Sequence, residues 1–187
     1  MNQEKIQQIE DEIKDLFVNN PDEDWQVFWF LHLKFVIEKS KELAQKYGGD
    51  PEIIWLSAIL HDIAQLETED NHEVIGAKRA YELLIEKDFE VEVVEKVRDV
   101  ILTHRVNQYK PENLEQQILA TADAMSHFST AFYLWIMHIS KKPFVKLIEK
   151  FSEKIERDFH EKIFFEDERM QVEKQYEVLK GWLEIKR

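Results

Sequence analysis

Histidine and aspartate residues within apolar stretches are the part of this sequence that could carry chemistry. His61 and Asp62 stand side by side at the end of the run WLSAIL. Burying such a pair is costly unless its side chains are hydrogen-bonded or bind a metal. His32 lies in an aromatic stretch, and Asp123 follows the apolar segment ILATA. We interpret these residues as candidate metal ligands that the fold must bring together.

Two further histidines extend the candidate site. His72 stands at the start of a helical pattern, and His104 stands at the end of another. The sequence contains no cysteine, so protein ligands would be imidazoles and carboxylates. Such a nitrogen and oxygen set suits Mn²⁺, Fe²⁺, Co²⁺, Ni²⁺, Zn²⁺ or Mg²⁺. The sequence predicts a divalent metal cofactor and leaves open its identity and whether one or two ions bind.

Long helices must position these side chains. Only 4 glycines and 4 prolines punctuate the 187 residues, and apolar residues recur at helical spacing. Asn20, Asp50 and either Asp70 or Asn71 are predicted to cap helices, and Pro111 is predicted to open one. We predict an all-α fold, a single-domain helical bundle over residues 1–187. Its helices are expected at residues 3–18, 21–47, 51–62, 72–85, 91–104, 111–139, 143–159 and 166–185.

Charge and hydropathy exclude several classes of partner. The net charge is 25 − 38 = −13, and such a surface repels nucleic-acid backbones. No uncharged apolar stretch approaches the length of a membrane span, and the charged N-terminus lacks a signal-type apolar core. We therefore expect a cytoplasmic protein without general nucleic-acid binding. A small phosphorylated partner is compatible with a bound divalent ion, and a homo-oligomer stays open.

The order of these motifs resembles the HD-domain superfamily of metal-dependent phosphohydrolases. The resemblance covers a motif core of about residues 25–135 and includes the stretches LSAILHDIA, HEVIGA, VILTHR and ILATADAMSHF. It implies a helical bundle of HD-domain type and hydrolysis of a small phosphorylated substrate, nucleotides among them. It also implies a divalent metal bound by His32, His61, Asp62 and Asp123.

Further roles follow from the expected reaction. A carboxylate must position or deprotonate the attacking water, and cations must hold the phosphate. We predict catalytic roles for Asp62 and Glu67, and phosphate contacts from Arg105 and Lys78. His72 and His104 are candidates for a second metal or for substrate.

Two departures from the family pattern keep alternatives open. The loop Glu67–Asp70 is acidic where many relatives carry a basic residue after the His-Asp pair. Binuclear relatives have two adjacent histidines where this chain has His104 and Arg105. One alternative is a degenerate relative that binds a metal, nucleotide or partner without hydrolysis. Another is a di-iron, oxygen-using enzyme on the same fold, since six potential ligands are present.

Overall fold

Helices build this structure, a computed structural model that describes residues 3–68 and 71–184. No strand occurs among these residues, which confirms the predicted all-α class. The predicted loop and helix residues Glu69, Asp70 and Ile185 lie outside the described part. The helices are α1 Gln3–Val18, α2 Glu23–Phe28, α3 Lys34–Tyr47, α4 Pro51–Leu60, α5 His72–Glu86, α6 Val91–Thr103, α7 Leu114–Ser129, α8 Phe132–Ile139, α9 Phe144–Arg157 and α10 Glu166–Leu183.

Helix α7 is the axis of the fold. It packs against α3, α4, α6 and α10. Its first half contributes Ile118 and Leu119 to the main apolar core, which α1 to α6 surround. Its second half contributes Met125 and Phe128 to a second cluster, shared with α9 and α10. Asp123 therefore lies near the junction of the two apolar clusters, where an unpaired charge would be costly.

Local capping explains where the site helices begin. Asp50 accepts hydrogen bonds from the Glu52 and Ile53 amides, so α4 begins as predicted. Helix α7 begins at Leu114 rather than at Pro111, because Asn113 forms a capping box three residues before Gln116.

The two remaining cap predictions have different outcomes, and Asp70, the alternative to Asn71, lies outside the described residues. Asp22 caps α2 instead of Asn20. Asn71 occupies the cap position of α5 in a left-handed conformation, without a side-chain cap hydrogen bond.

Two predicted helices are interrupted. The helix expected over residues 21–47 contains a π-helical turn at Trp29–Leu33. The helix expected over 111–139 ends at Ser129, because Thr130 is extended with φ −127° and ψ −179°. The Thr130 hydroxyl donates to the Ser126 carbonyl at 2.8 Å, a side-chain bond that competes with helix continuation. The expected loop after residue 62 begins as a 3₁₀ turn at Ile63–Leu66.

None of the helices within the described ranges is long and apolar enough to cross a membrane.

Gly76 allows α5 to approach the end of α4. A Cβ at this position would lie 3.2 Å from the His61 carbonyl oxygen, whereas a Cβ at Gly181 in α10 would meet nothing within 4 Å. The glycine in HEVIGA thus has a packing reason, since a side chain would press on the turn that carries His61.

Alanine at these two helical glycines is expected to have different effects. Gly181→Ala should raise the free energy of unfolding by up to about 1 kcal/mol, because alanine favours helix. Gly76→Ala should not raise the free energy of unfolding in this way, because the new Cβ must displace the His61 backbone. Urea unfolding of both variants measures the difference. An equal stabilisation of the two proteins would contradict the proposed close packing.

Candidate metal centre

Four side chains from three separate parts of the chain lie close together. His32 Nε2 lies 3.1 Å from His61 Nε2, 3.1 Å from Asp62 Oδ2 and 3.3 Å from Asp123 Oδ1. These side chains are at least 94% buried. Metal ligands about 2.1 Å from one ion lie roughly 3 to 4 Å apart. Each of the other three ligand atoms therefore lies at a distance from His32 Nε2 that two ligands of one ion would have.

Elements of different kinds deliver these ligands. His61 is the C-cap residue of α4, and Asp62 follows it at φ −112° and ψ 18°. His32 sits in the π-helical turn, where Trp29 and Leu33 are also buried. Such π-helical turns are frequent at functional sites.

Hydrogen bonds to the backbone fix the tautomer of two histidines. The Nδ1–H groups of His61 and His104 donate to the carbonyls of Ala58 at 2.9 Å and Ile101 at 2.6 Å. A carbonyl can only accept, so Nδ1 carries the proton in each ring. Burial lowers the pKa of His61, and it holds the pKa of His104 well below its ordinary value. Both rings are therefore neutral and present Nε2 lone pairs to the centre.

Ser126 orients His32 in the same way. Its hydroxyl donates to the Asp123 carbonyl at 2.7 Å, so it is left to accept from His32 Nδ1, also at 2.7 Å. The His32 Nε2 lone pair then faces that of His61. Two such lone pairs cannot hydrogen-bond to each other, and two carboxylate oxygens lie beside them. This donor set fits a bound cation.

Asp62 divides its two oxygens between two groups of histidines. Oδ2 faces His32 and His61, whereas Oδ1 lies 3.2 Å from His72 Nε2 and 3.7 Å from His104 Nε2. Oδ1 is buried and accepts no hydrogen bond of standard geometry from the residues that the structure describes. Asp62, His72 and His104 thus form a second group with metal-ligand spacing. If two ions bind, Asp62 would supply one oxygen to each of them.

Both carboxylates are suited to remain ionised. Burial by itself raises the pKa of Asp62, but the neighbouring imidazoles outweigh it and hold this pKa well below the ordinary value. Burial opposes ionisation of Asp123 as well, yet Lys162 and His127 hold its pKa well below the usual range. Anionic oxygens suit divalent cations.

Comparison with protein families agrees with this geometry. The family model described as HD domain matches residues 29–127, just over half of the 187 residues. The chain belongs to the HD-domain family. HD domains typically bind divalent metals, and the matched region contains each of the converging ligands described above.

A solved structure has the same fold. It is the crystal structure, at 1.45 Å resolution, of a predicted HD superfamily hydrolase from an uncultured Thermotogales bacterium. The two proteins are 23% identical, with a TM-score of 0.62, and the match covers 95% of this chain and 88% of the other. Comparison with curated proteins finds no match.

In this HD domain, the second oxygen of Asp123, Oδ2, is contacted by a residue that the sequence did not indicate as functional. Lys162 is 2% exposed and donates to Asp123 Oδ2. Its Nζ also lies 3.8 Å from Asp158 Oδ1, and Asp158 is fully buried. Both residues belong to the π-helical turn at Asp158–Lys162. The aromatic residues of the segment 159–165 give no clear helical pattern in the sequence.

The two predicted phosphate contacts, Arg105 and Lys78, lie at different distances from the candidate metal ligands in the sequence and differ in exposure. Arg105 Nη1 lies 2.9 Å from Glu73 Oε2, and each neighbours a histidine of the second group in sequence. Lys78 is 77% exposed along its side chain, and its Nζ lies 3.7 Å from Glu82.

Glu67 is an exposed ion-pair partner of Arg79 on α5. It is not in any group with metal-ligand spacing found among the described residues. The structure does not bring Glu67 or Lys78 into the metal centre, because their side chains face solvent and bind neighbouring charges. Their functional roles stay predictions.

Buried neutral histidines should make the stability of the metal-free HD domain depend on pH. Burial, with Lys154 nearby, lowers the pKa of His127 to about 4, and burial also lowers the pKa values of His61 and His104. The unfolded chain takes up these protons as the pH falls through about 6.5, whereas the folded chain does not. The contribution of these histidines to the free energy of unfolding is therefore present above pH 6.5 and is lost as the pH falls below it.

For His127 alone, the free energy of unfolding should fall by about 1.5 kcal/mol between pH 6.5 and pH 5. Urea unfolding in excess chelator at these two pH values measures the sum for all three histidines. Carboxylates titrate in the unfolded chain near pH 4 and below, so this window reports mainly histidine. An unfolding free energy that stays constant over the window would contradict the burial of neutral imidazoles.

Proposed function

We propose that this HD domain is a metal-dependent phosphohydrolase that acts on a small phosphorylated molecule, such as a nucleotide. One observation carries the proposal. The Nε2 atoms of His32 and His61 and one oxygen each of Asp62 and Asp123 converge, with the imidazole tautomers set by hydrogen bonds. The solved structure with the same fold is that of a predicted HD superfamily hydrolase, which supports a hydrolytic reaction.

A divalent ion at this site would polarise a phosphoryl oxygen and lower the pKa of water. The protein's own contribution starts at Asp62. If one ion is bound through Oδ2, then Oδ1 remains available to accept a hydrogen bond from the attacking water and to orient it. If a second ion is bound by His72 and His104, Oδ1 is instead a shared ligand. The number of ions thus decides the role of Asp62.

Arg105 is the better placed of the two predicted phosphate contacts. It follows His104 directly, and its side chain is about one third exposed, so a ligand can approach it. Its partner Glu73 follows His72. A phosphate bound between the second histidine group and Arg105 would compete with Glu73 for the guanidinium. We therefore expect Arg105→Gln to raise KM more than it lowers kcat.

The direct test is a substrate screen with purified protein. Nucleoside mono-, di- and triphosphates and simple phosphate esters are incubated with Mn²⁺, Co²⁺, Ni²⁺ or Mg²⁺, and released phosphate or nucleoside is measured. We expect turnover of at least one class of ester and its loss in excess chelator. Failure to hydrolyse any substrate while bound metal is demonstrated would contradict the phosphohydrolase proposal.

Such a failure would favour the binding-only alternative. The exposed ion pair of Glu67 with Arg79 supports that alternative, because Glu67 is our predicted water-orienting residue. Calorimetry with the same metals and nucleotides would then show ligand binding without product formation.

The two faces of Asp62 also support a di-iron centre. Oδ1 and Oδ2 each lie beside two histidines, which is the arrangement expected of a carboxylate shared by two ions. Iron content near two per chain, together with oxygen consumption, would favour an oxygen-using enzyme. Iron at that ratio with phosphate release and no oxygen uptake would favour the hydrolase.

A further inference from the structure

We propose that His127 is an additional ligand of the ion held by His32, His61, Asp62 and Asp123. This inference rests on the metal site of the proposed function and extends it. A fifth protein ligand gives that ion three imidazole nitrogens and two carboxylate oxygens. The chemical class of cofactor then narrows to borderline transition metals, of which Co²⁺, Ni²⁺ and Zn²⁺ are examples, in preference to Mg²⁺.

The distances place His127 within reach of the ion. Its Nε2 lies 3.7 Å from Asp123 Oδ1, the oxygen that also faces His32. One ligand atom from each of His32, Asp123 and His127 lies within 4.8 Å of the others. Ligand atoms about 2.1 Å from an ion are separated by up to roughly 4.2 Å, and the distance between His127 Nε2 and Asp123 Oδ1 lies within that limit.

Asp158 orients the ring so that its second nitrogen faces the centre. Asp158 Oδ2 lies 2.8 Å from His127 Nδ1, closer than the Lys154 Nζ at 3.3 Å, and a carboxylate accepts this N–H. The proton on Nδ1 leaves a lone pair on Nε2, directed to Asp123. A carboxylate that binds the outer nitrogen of a histidine is the usual second partner of a metal-bound imidazole. His61 and His104 obtain the same orientation from backbone carbonyls.

The supporting residues show that more than ring packing is involved. His127 stacks on His32 at 5.3 Å with a 7° interplanar angle, and its ring packs against Phe132 at 4.1 Å with a tilt of 32°. A phenyl ring could also make these contacts. A phenyl ring would not require a fully buried carboxylate. Asp158 is buried beside His127, and Lys154 lies 2.9 Å from it. Charged groups in such a position are costly to bury, which favours a role for the imidazole nitrogens.

The additional imidazole predicts which metals bind. A site with three nitrogen ligands favours ions late in the series Mn²⁺, Fe²⁺, Co²⁺, Ni²⁺, whereas Mg²⁺ prefers oxygen ligands and retains water. We expect wild-type protein to bind Co²⁺ and Ni²⁺ much more tightly than Mg²⁺. Replacement of His127 should reduce the difference in affinity between Co²⁺ or Ni²⁺ and Mg²⁺. The substitution removes a nitrogen ligand, which Mg²⁺ binds poorly.

The first test is Co²⁺ binding by the full chain after chelator treatment. Visible absorption reports both the dissociation constant and the ligand field. His127→Gln should bind Co²⁺ about 10- to 100-fold more weakly, with shifted absorption bands. His160→Gln is the control, because His160 is exposed and contacts Glu156 and Tyr176 instead. Unchanged affinity and an unchanged spectrum in a folded His127→Gln protein would overturn the proposal.

A second measurement uses wild-type protein and so does not depend on the folding of a variant. Long-range ¹H–¹⁵N spectra of histidine-labelled protein follow each Nε2 during Zn²⁺ addition, and His127 is assigned by its proximity to both Phe132 and Tyr133. A large shift of His127 Nε2 upon zinc binding is expected. An unshifted His127 Nε2 beside shifted His32 and His61 signals would overturn the proposal.

The outcomes separate this inference from the hydrolase proposal. If His127 binds zinc and no phosphoester is hydrolysed, the proposed reaction fails and the ligand assignment stands. If phosphoesters are hydrolysed and metal binding is independent of His127, only the ligand assignment fails.

Discussion

Asp62→Asn protein should bind divalent metal more than about 100-fold more weakly than wild type, since even residues that only orient metal ligands contribute 10- to 100-fold. The amide keeps the size of the carboxylate but removes its charge, and one of its two terminal atoms becomes a donor that cannot bind a cation. Because both Asp62 oxygens face histidine groups, each metal position is affected. Any phosphohydrolase activity should fall by at least about 10³-fold, because the ion contributes several kcal/mol to catalysis.

Metal content by elemental analysis, together with turnover of the best substrate from the screen, measures both effects. Asp99→Asn is a matched control, because Asp99 is half-exposed and pairs with Arg98 on the surface of α6. It should bind metal and turn over substrate as wild type does. If Asp62→Asn protein retains metal and activity, the assignment of the centre is wrong.

Lys162→Met should lower the free energy of unfolding of the metal-free protein by about 3–5 kcal/mol, the range for removing one partner of a buried ion pair. Lys162 is the buried cation between Asp123 and Asp158. Methionine fills a similar volume, so the main loss is charge compensation for two buried carboxylates. Urea unfolding in excess chelator measures the change.

The control for this prediction is Lys146→Met. Lys146 is 73% exposed and lies 3.5 Å from Glu149, so its removal should change the unfolding free energy by less than about 1 kcal/mol. Added metal should partly restore the Lys162→Met protein, because a cation beside Asp123 replaces some of the missing positive charge. Equal stabilities of the two variants would show that the buried ion pair does not contribute as we argue.

The sequence by itself determined the class of fold and the residues available for chemistry. Helical spacing of apolar residues and the scarcity of glycine and proline predict helices, because these signals are local. His32, His61, Asp62 and Asp123 are recognisable because polar residues within apolar stretches are unusual. The order of their motifs was sufficient to identify the HD domain, which the family match then confirmed.

The limits of the helices were less predictable. The π-helical turn that carries His32 has the same residue types as an ordinary helix. At the break after Ser129, the Thr130 hydroxyl bonds to the Ser126 carbonyl and competes with helix continuation. Such alternatives differ by small local free energies, and the surrounding packing selects among them.

Only the tertiary structure decided how the ligands are oriented and supported. Asp62 presents different oxygens to two histidine groups, and Lys162 meets Asp123 from 39 residues along the chain. Asp158 likewise reaches His127 across 31 residues. No local pattern encodes such pairs, because they exist only after α7, α9 and the second π-helical turn have packed together. The sequence thus determined which side chains could bind a metal, whereas packing decided which of their atoms face the centre.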